Sequence, residues 1–241
     1  MNPIFIRYGG VAVRYSHLVF LVAFLISYFL YVKGDSEPSE RDNLEKSLFL
    51  FVVGGVLGGR LSYILINWHL FEGQWLEVFT LWHGAFTLWG GLLGLIIAAG
   101  IMNFLPENLI QVRNNSLARL AYIFPLFLSL SQWGLWFEGE GWGRQAEGIG
   151  TLVQGGISRY PIWLYFFLGC LILSIIIFLY QKKSNRLKLN LFLHMVIGIS
   201  FLNILLTPFI QFNKTSDFVI HLVLTSLLIT GAFYSLFRTR K

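Results

Sequence analysis

Seven stretches of about 20 residues, set along nearly the whole chain, carry almost no charge and constrain this sequence more than any motif in it. They fall at about 13–32, 47–66, 85–104, 118–137, 161–181, 190–212 and 218–237. A hydrocarbon layer about 30 Å thick is crossed by roughly 20 apolar residues in a helix, so each stretch has the length of one crossing. Of 241 residues 56% are hydrophobic and only 12% charged, which would leave a water-soluble domain with apolar patches too large to stay monomeric. In lipid, backbone polar groups must be satisfied within the segment, and helices do this. The expected fold is an all-α integral membrane protein: one transmembrane domain, residues 1–241, of seven helices. No internal repeat and no soluble domain is visible. The first sixteen residues lack a basic start followed by a short apolar core and a small-residue cleavage site, so no cleavable leader is expected.

The segments between these runs read as loops, among them the polar "KGDSEPSERDNLEK" (33–46) and the basic "QKKSNRLK" (181–188). Lys and Arg stay preferentially on the cytoplasmic side. The N-terminus and loops 2–3, 4–5 and 6–7 carry 5 of them, against 12 for loops 1–2, 3–4 and 5–6 and the C-terminal tail. The N-terminus is therefore expected outside and the C-terminus in the cytoplasm. The net charge of +6 mostly reflects this bias, with some attraction to anionic lipid head groups. It does not point to nucleic acid, because the basic residues form no face interleaved with aromatics.

Polar groups inside the apolar runs are the candidates for chemistry. Arg60 lies past the middle of "SLFLFVVGGVLGGRLSYILIN", where a cation costs about 2.5–3.5 kcal/mol, so it needs a partner, a cavity or an anionic ligand, or else snorkels to the interface. Gly54, Gly55, Gly58 and Gly59 form small-residue pairs that let another helix or a lipid tail approach closely, and Gly90, Gly91 and Gly94 continue such a face. His83 falls where the third run begins, as an interfacial hydrogen-bonding group or a base. Trp82, Trp89, Trp133, Trp136 and Trp142 suit an interfacial aromatic belt. The other histidines lack the paired spacing of a metal site, and the single cysteine, Cys170, excludes an internal disulfide and reads as a small buried hydrophobe. Neither a metal nor a cofactor is expected.

The densest polar cluster is "LSQWGLWFEGEGWGRQAEG" (130–148), where the fourth run ends. Gly139, Gly141 and Gly143 break the helix and could turn backbone N–H groups toward an anion. Arg144 could pair a phosphate, and Glu138 and Glu140 are candidate proton acceptors. The alternative is a solvated loop whose charges mark a helix end.

Taken together, these segments resemble the prolipoprotein diacylglyceryl transferase family. The opening "NPIFIRYGGVAVRYSHL" is similar to that family's start, "GGRLSYIL" to its glycine-rich second helix and "LWHGAFTLWGGLLG" to its "W-[DE]-G-G-M-S-F-H-G-G-x-x-G" segment. "SQWGLWFEGEGWGR" follows the frame of its hallmark "G-R-x-G-N-F-x-N-x-E-x-x-G-R", and "RYPIWLY" resembles "R-x-P-[ST]-Q-L-Y". The resemblance implies transfer of diacylglyceryl from phosphatidylglycerol, or a similar anionic phospholipid, to the thiol of a prolipoprotein's lipobox cysteine, in the bacterial inner membrane.

On the same basis Glu140, Glu138 or His83 would be the thiol base, and Arg60, Arg144, Arg159, Gly143 and Gln132 would bind substrate. The frame is kept better than its polar contents. The family's His before Gly-Gly is Trp89, the first Arg of the hallmark is Gln132, and its two Asn are Leu135 and Glu138. Ser16 stands where the first helix keeps a Tyr, and Ile162 and Trp163 replace the Ser/Thr-Gln pair. Two readings follow: an active transferase, or a catalytically degenerate relative that binds phospholipid or lipoprotein as a scaffold or partner subunit. Transport is disfavoured, since the chain has no paired broken helices.

Overall fold

The computed structural model describes residues 4–8, 11–33, 38–73, 86–102, 110–183 and 188–210, with six helical residues between 223 and 231. Strands β1 (Ile4–Tyr8) and β2 (Val11–Arg14) lead into helix α1 (Tyr15–Val32), followed by α2 (Pro38–Ile66) and α3 (Leu88–Ile101). Helix α4 (Ile110–Glu138) precedes strands β3 (Trp142–Gln145), β4 (Leu152–Gln154) and β5 (Ile157–Pro161), then α5 (Ile162–Lys183) and α6 (Lys188–Leu206). Single 3-10 turns, Trp68–Leu70 and Thr207–Phe209, follow α2 and α6. The chain divides into two compact units, Asp35–Leu117 and the remainder, Met1–Gly34 with Ala118–Lys241.

In the unit Asp35–Leu117, helix α2 begins at Pro38, well before its apolar stretch. The sequence "SERDNLEK", expected as loop, is helical. Proline suits a first turn, and the pairs Arg41–Glu45 (3.2 Å) and Asp42–Lys46 (2.5 Å) stand one turn apart on the helix surface. Helix α3 is capped by Thr87, whose hydroxyl accepts from the Gly90 N–H at 3.2 Å. Helices α2 and α3 meet glycine against glycine: a Cβ on Gly94 would lie 1.9 Å from the Gly54 carbonyl oxygen, and one on Gly58 2.3 Å from that of Gly90. The small-residue faces read in the sequence are thus one close backbone contact.

In the larger unit, Arg119 donates from Nη1 to the carbonyls of Tyr31 (2.8 Å) and Lys33 (3.4 Å), satisfying acceptors at the C-terminal end of α1. Helices α4 and α5 are joined by hydroxyl-to-carbonyl bonds, Ser129 to Phe167 (3.0 Å) and Ser174 to Tyr122 (2.7 Å). Between α5 and α6, Gly169 sits under Leu202 and Gly198 under Leu173. Cys170 is fully buried, as expected. Ser174→Ala removes one interhelical bond in an apolar setting and is expected to destabilise the chain by about 0.6 kcal/mol, and at most about 1.7. Unfolding titrations in mixed detergent micelles measure this, and a cost well above that range would mean that Ser174 does more than bond Tyr122.

Among the described residues five helices are long and apolar enough to cross a membrane: Tyr15–Val32, Arg41–Ile66, Arg113–Glu138, Ile162–Lys182 and Asn190–Phe209. The third expected crossing is the shorter apolar helix Leu88–Ile101, and the seventh lies largely outside the described residues. The fold is mostly helical and not all-α, because two small sheets flank the helices. The hinge region forms one of them, with strand order β3-β5-β4, closed by Gly155 and Gly156 at φ +57° and +82°. Positive φ at both central residues is what a two-residue hairpin turn requires, and the surrounding "LVQGGIS" alternates as a strand pair does.

Candidate functional site

The end of α4 is built by its glycines. The Glu140 N–H donates to the Leu135 carbonyl (2.8 Å) and the Gly139 N–H to that of Trp136 (3.0 Å), with Gly139 at φ +74°. This is the paired closure in which a left-handed residue terminates a helix, and glycine takes that conformation without a Cβ penalty. These two N–H groups of the hinge therefore close the helix. Gly141, also at φ +74°, accepts from the Trp163 N–H at 2.9 Å and so ties the hinge to the first turn of α5.

Glu138 faces the start of the chain. Arg14 Nη1 lies 3.3 Å from its Oε2, and the Ser16 hydroxyl donates to Oε1. Helix α1 comes this close because Gly134 has no side chain: a Cβ there would meet Ser16 Cα at 3.3 Å. The carboxylate is largely buried, whereas Arg14 is half exposed. Its geometry is that of a latch between the two helix ends, with both oxygens engaged. Glu140, beyond the helix closure, is exposed.

Arg144 and Arg159 stand on neighbouring strands, with Gln145 opposite Arg159 and Trp142 opposite Pro161. Alternation along a strand separates adjacent side chains onto opposite faces. Arg159 shares a face with Leu152, its partner on β4, while Arg144 lies over the ring of Tyr160 at 5.9 Å on the other. Tyr160 is braced by Phe209 at 4.9 Å between ring centroids. Gly143 permits this approach, since a Cβ there would fall 2.2 Å from the Phe209 carbonyl oxygen. The glycine is needed by the packing around Arg144, whatever it contributes to a ligand.

Inward of the hinge the site is aromatic. Trp133, Trp136 and Trp142 all pack on Trp163, at ring distances of 5.7, 5.9 and 6.4 Å. Trp133, Trp136 and Trp142, expected in an interfacial belt, gather around Trp163, and Trp133 stays partly exposed at 38%. The indole N–H groups of Trp142 and Trp163 are buried with no acceptor among the described residues. Gln132 turns its amide back on its own helix, donating to Leu128 O at 3.3 Å.

Five of the expected site residues, Glu138, Glu140, Gly143, Arg144 and Arg159, are thus gathered around the end of α4 and the small sheet. Arg60 belongs to the other unit, where it is buried against the rings of Phe71 (5.6 Å) and Tyr63 (5.9 Å). His83 lies outside the described residues. Sequence reasoning missed Arg14 and Tyr160 as partners of the hinge. The signals for Arg14 were its place with Tyr15 at the entry to α1 and two residues before Ser16, a position already noted as altered. Among the described residues no three His, Cys, Asp or Glu side chains are grouped as a metal ion would require.

Long apolar helices, with arginines and carboxylates collected where α4 ends and α5 begins, define a multi-pass membrane protein with a polar cluster at these helix ends. Comparison with known proteins narrows this class. The family model described as prolipoprotein diacylglyceryl transferase matches residues 3–237, and the chain belongs to that family. It is 31% identical over 193 residues to a phosphatidylglycerol–prolipoprotein diacylglyceryl transferase of Photobacterium profundum, covering 77% of this chain and 71% of that one. Proteins of the same name from Verminephrobacter eiseniae (32% over 205 residues, 77% and 73% covered) and Geobacter sulfurreducens (30% over 172, 68% and 65%) are similar to it.

Proposed function

We propose that the chain moves a diacylglyceryl group from phosphatidylglycerol, or a closely similar anionic phospholipid, to the thiol of a lipobox cysteine in a prolipoprotein. The observation that carries this reading is the glycine-closed end of α4, which presents a solvent-facing carboxylate at Glu140 and a ring-backed guanidinium at Arg144 beside apolar helices. In the transfer a sulfur–carbon bond forms as the carbon–oxygen bond to the phosphate breaks. The thiol proton passes to a base, and glycerol phosphate leaves with the bonding pair. Arg144 holds the phosphate, where a planar donor fork suits developing charge. Arg159 and Gln132 are further substrate contacts, and Gly143 sets the backbone beneath Arg144.

Glu140 is the favoured base because its carboxylate is open, whereas both oxygens of Glu138 are engaged; His83 is the remaining candidate. Glu140→Gln is expected to lower transfer by about a hundredfold or more, the usual scale of a lost general base. Glu138→Gln keeps groups able to bond Ser16 and is expected to retain activity within about tenfold. The reverse order of effects would move the base to Glu138.

The reading includes a single seven-helix transmembrane domain over residues 1–241, N-terminus outside and C-terminus cytoplasmic, in a bacterial inner membrane. Five long apolar helices and the charge bias support it. A reporter fused after Gly148 tests the orientation, and cytoplasmic reporter activity would overturn it. The function itself is tested in proteoliposomes with labelled phosphatidylglycerol and a lipobox peptide, where label is expected in the peptide. Lipid binding without turnover, even at high protein, would favour the degenerate relative, a reading supported by Leu135 and Trp163 at positions the family fills with polar groups.

A further inference from the structure

We propose that the turn Gly148–Thr151, with the hairpin tip beside it, is an interfacial wedge that seats in the lipid leaflet at which α5 begins. Ile149 is fully exposed at 102%, and the hairpin tip beside it is apolar on both sheet faces, with Leu152 (44%) and Ile157 (42%) on one and Val153 (73%) on the other. The turn is a built structure. Gly148 and Gly150 adopt φ +120° and +88°, the Thr151 hydroxyl donates to the Gly148 carbonyl at 2.8 Å, and the Ser158 hydroxyl donates to Thr151 at 2.7 Å. An isoleucine held outward by a fixed turn has its position set by the fold.

The depth of that position follows from Tyr165. Its hydroxyl donates to the Gly150 carbonyl, so Ile149 is fastened beside the first turn of α5. The apolar segment Ile162–Lys182 has 21 residues, about 32 Å at 1.5 Å per residue, and so matches the hydrocarbon thickness. Tyr165, the fourth of them, then lies about 5 Å inside that layer's edge. It also heads a helix face that continues through Leu168, Ile172, Ile175, Ile176 and Leu179, all exposed and apolar, the surface α5 offers to lipid. Ile149 extends this lipid-facing stripe at its upper end. Arg159 shares its sheet face with Leu152, which puts a cation at the level of the head groups. The occupant is therefore lipid. The inference needs only the depth of α5, and it stands whether or not the chain catalyses transfer.

The test uses the full chain with Cys170→Ala and one new cysteine, Ile149→Cys or Val153→Cys in the tip, or Glu147→Cys as a water-facing comparison. Each is labelled with an environment-sensitive fluorophore and reconstituted in phosphatidylcholine–phosphatidylglycerol vesicles. Labels at 149 and 153 are expected to emit to the blue of the label at 147. Iodide should quench them about threefold less, and a spin label near the glycerol end of the acyl chain should quench them more than one near the methyl end. Iodide access equal to that at 147 overturns the proposal. So does a blue shift without quenching by spin-labelled lipid, because a protein surface and not the bilayer would then cover the tip.

Discussion

Gly94→Ala is expected to destabilise the chain by about 1–3 kcal/mol or more, although alanine is the better helix former. The added methyl would lie 1.9 Å from the Gly54 carbonyl oxygen. That atom is backbone and cannot rotate away, so α2 and α3 must separate and lose contact along their length. Other glycines of α3 serve as internal controls. A Cβ on Gly91 would find the Gly55 oxygen at 3.6 Å, an ordinary contact, and one on Gly100 meets nothing within 4 Å. Gly91→Ala should be close to neutral, and Gly100→Ala neutral or stabilising by up to about 1 kcal/mol. Unfolding in mixed detergent micelles ranks the three, and equal midpoints for Gly94→Ala and Gly100→Ala would refute the glycine-to-glycine contact.

Those glycines illustrate what the sequence made legible. Hydrophobic length and small-residue spacing depend on local composition, so the long helices of the described residues and their close-packing faces are legible in the sequence, whereas the pairing of α2 with α3 is not. The start of α2 is not legible in the same way, because a charged polar stretch reads as loop. Charges of opposite sign one helical turn apart instead favour the helix. The strands were missed for a related reason: three- to five-residue segments between apolar runs read as hinge until the Gly155–Gly156 turn is recognised as a hairpin closure. At the site, glycine spacing located the hinge but did not reveal which polar groups remain free. That depends on long-range contacts: Arg14 and Ser16 occupy Glu138 from more than a hundred residues away, and Phe209, in the turn after α6, dictates Gly143 on β3. The family resemblance implied that Arg144 and Arg159 both bind substrate, yet the pleat divides them between two faces.

That division gives the second large prediction: Arg144→Ala is expected to lower label transfer by about a hundredfold or more, and Arg159→Ala by much less. Arg144 is exposed, and among the described residues its guanidinium rests on the Tyr160 ring without a carboxylate partner. Its donors are therefore available to a phosphate, and the ring limits how far the side chain can swing. Truncating an exposed side chain of this kind leaves the core intact, so the unfolding midpoint should stay close to that of the parent while activity falls. Arg144→Lys preserves the charge but not the planar fork, and partial activity between parent and alanine is expected. Tyr160→Leu removes the ring while keeping an apolar body against Phe209, and should raise KM more than it lowers kcat if the ring serves to pre-position the guanidinium. Transfer at the parent rate in Arg144→Ala, with Arg159→Ala inactive, would shift the phosphate to the face that carries Leu152 and Ile157. The head group would then meet the chain on the same surface as the lipid-seated tip.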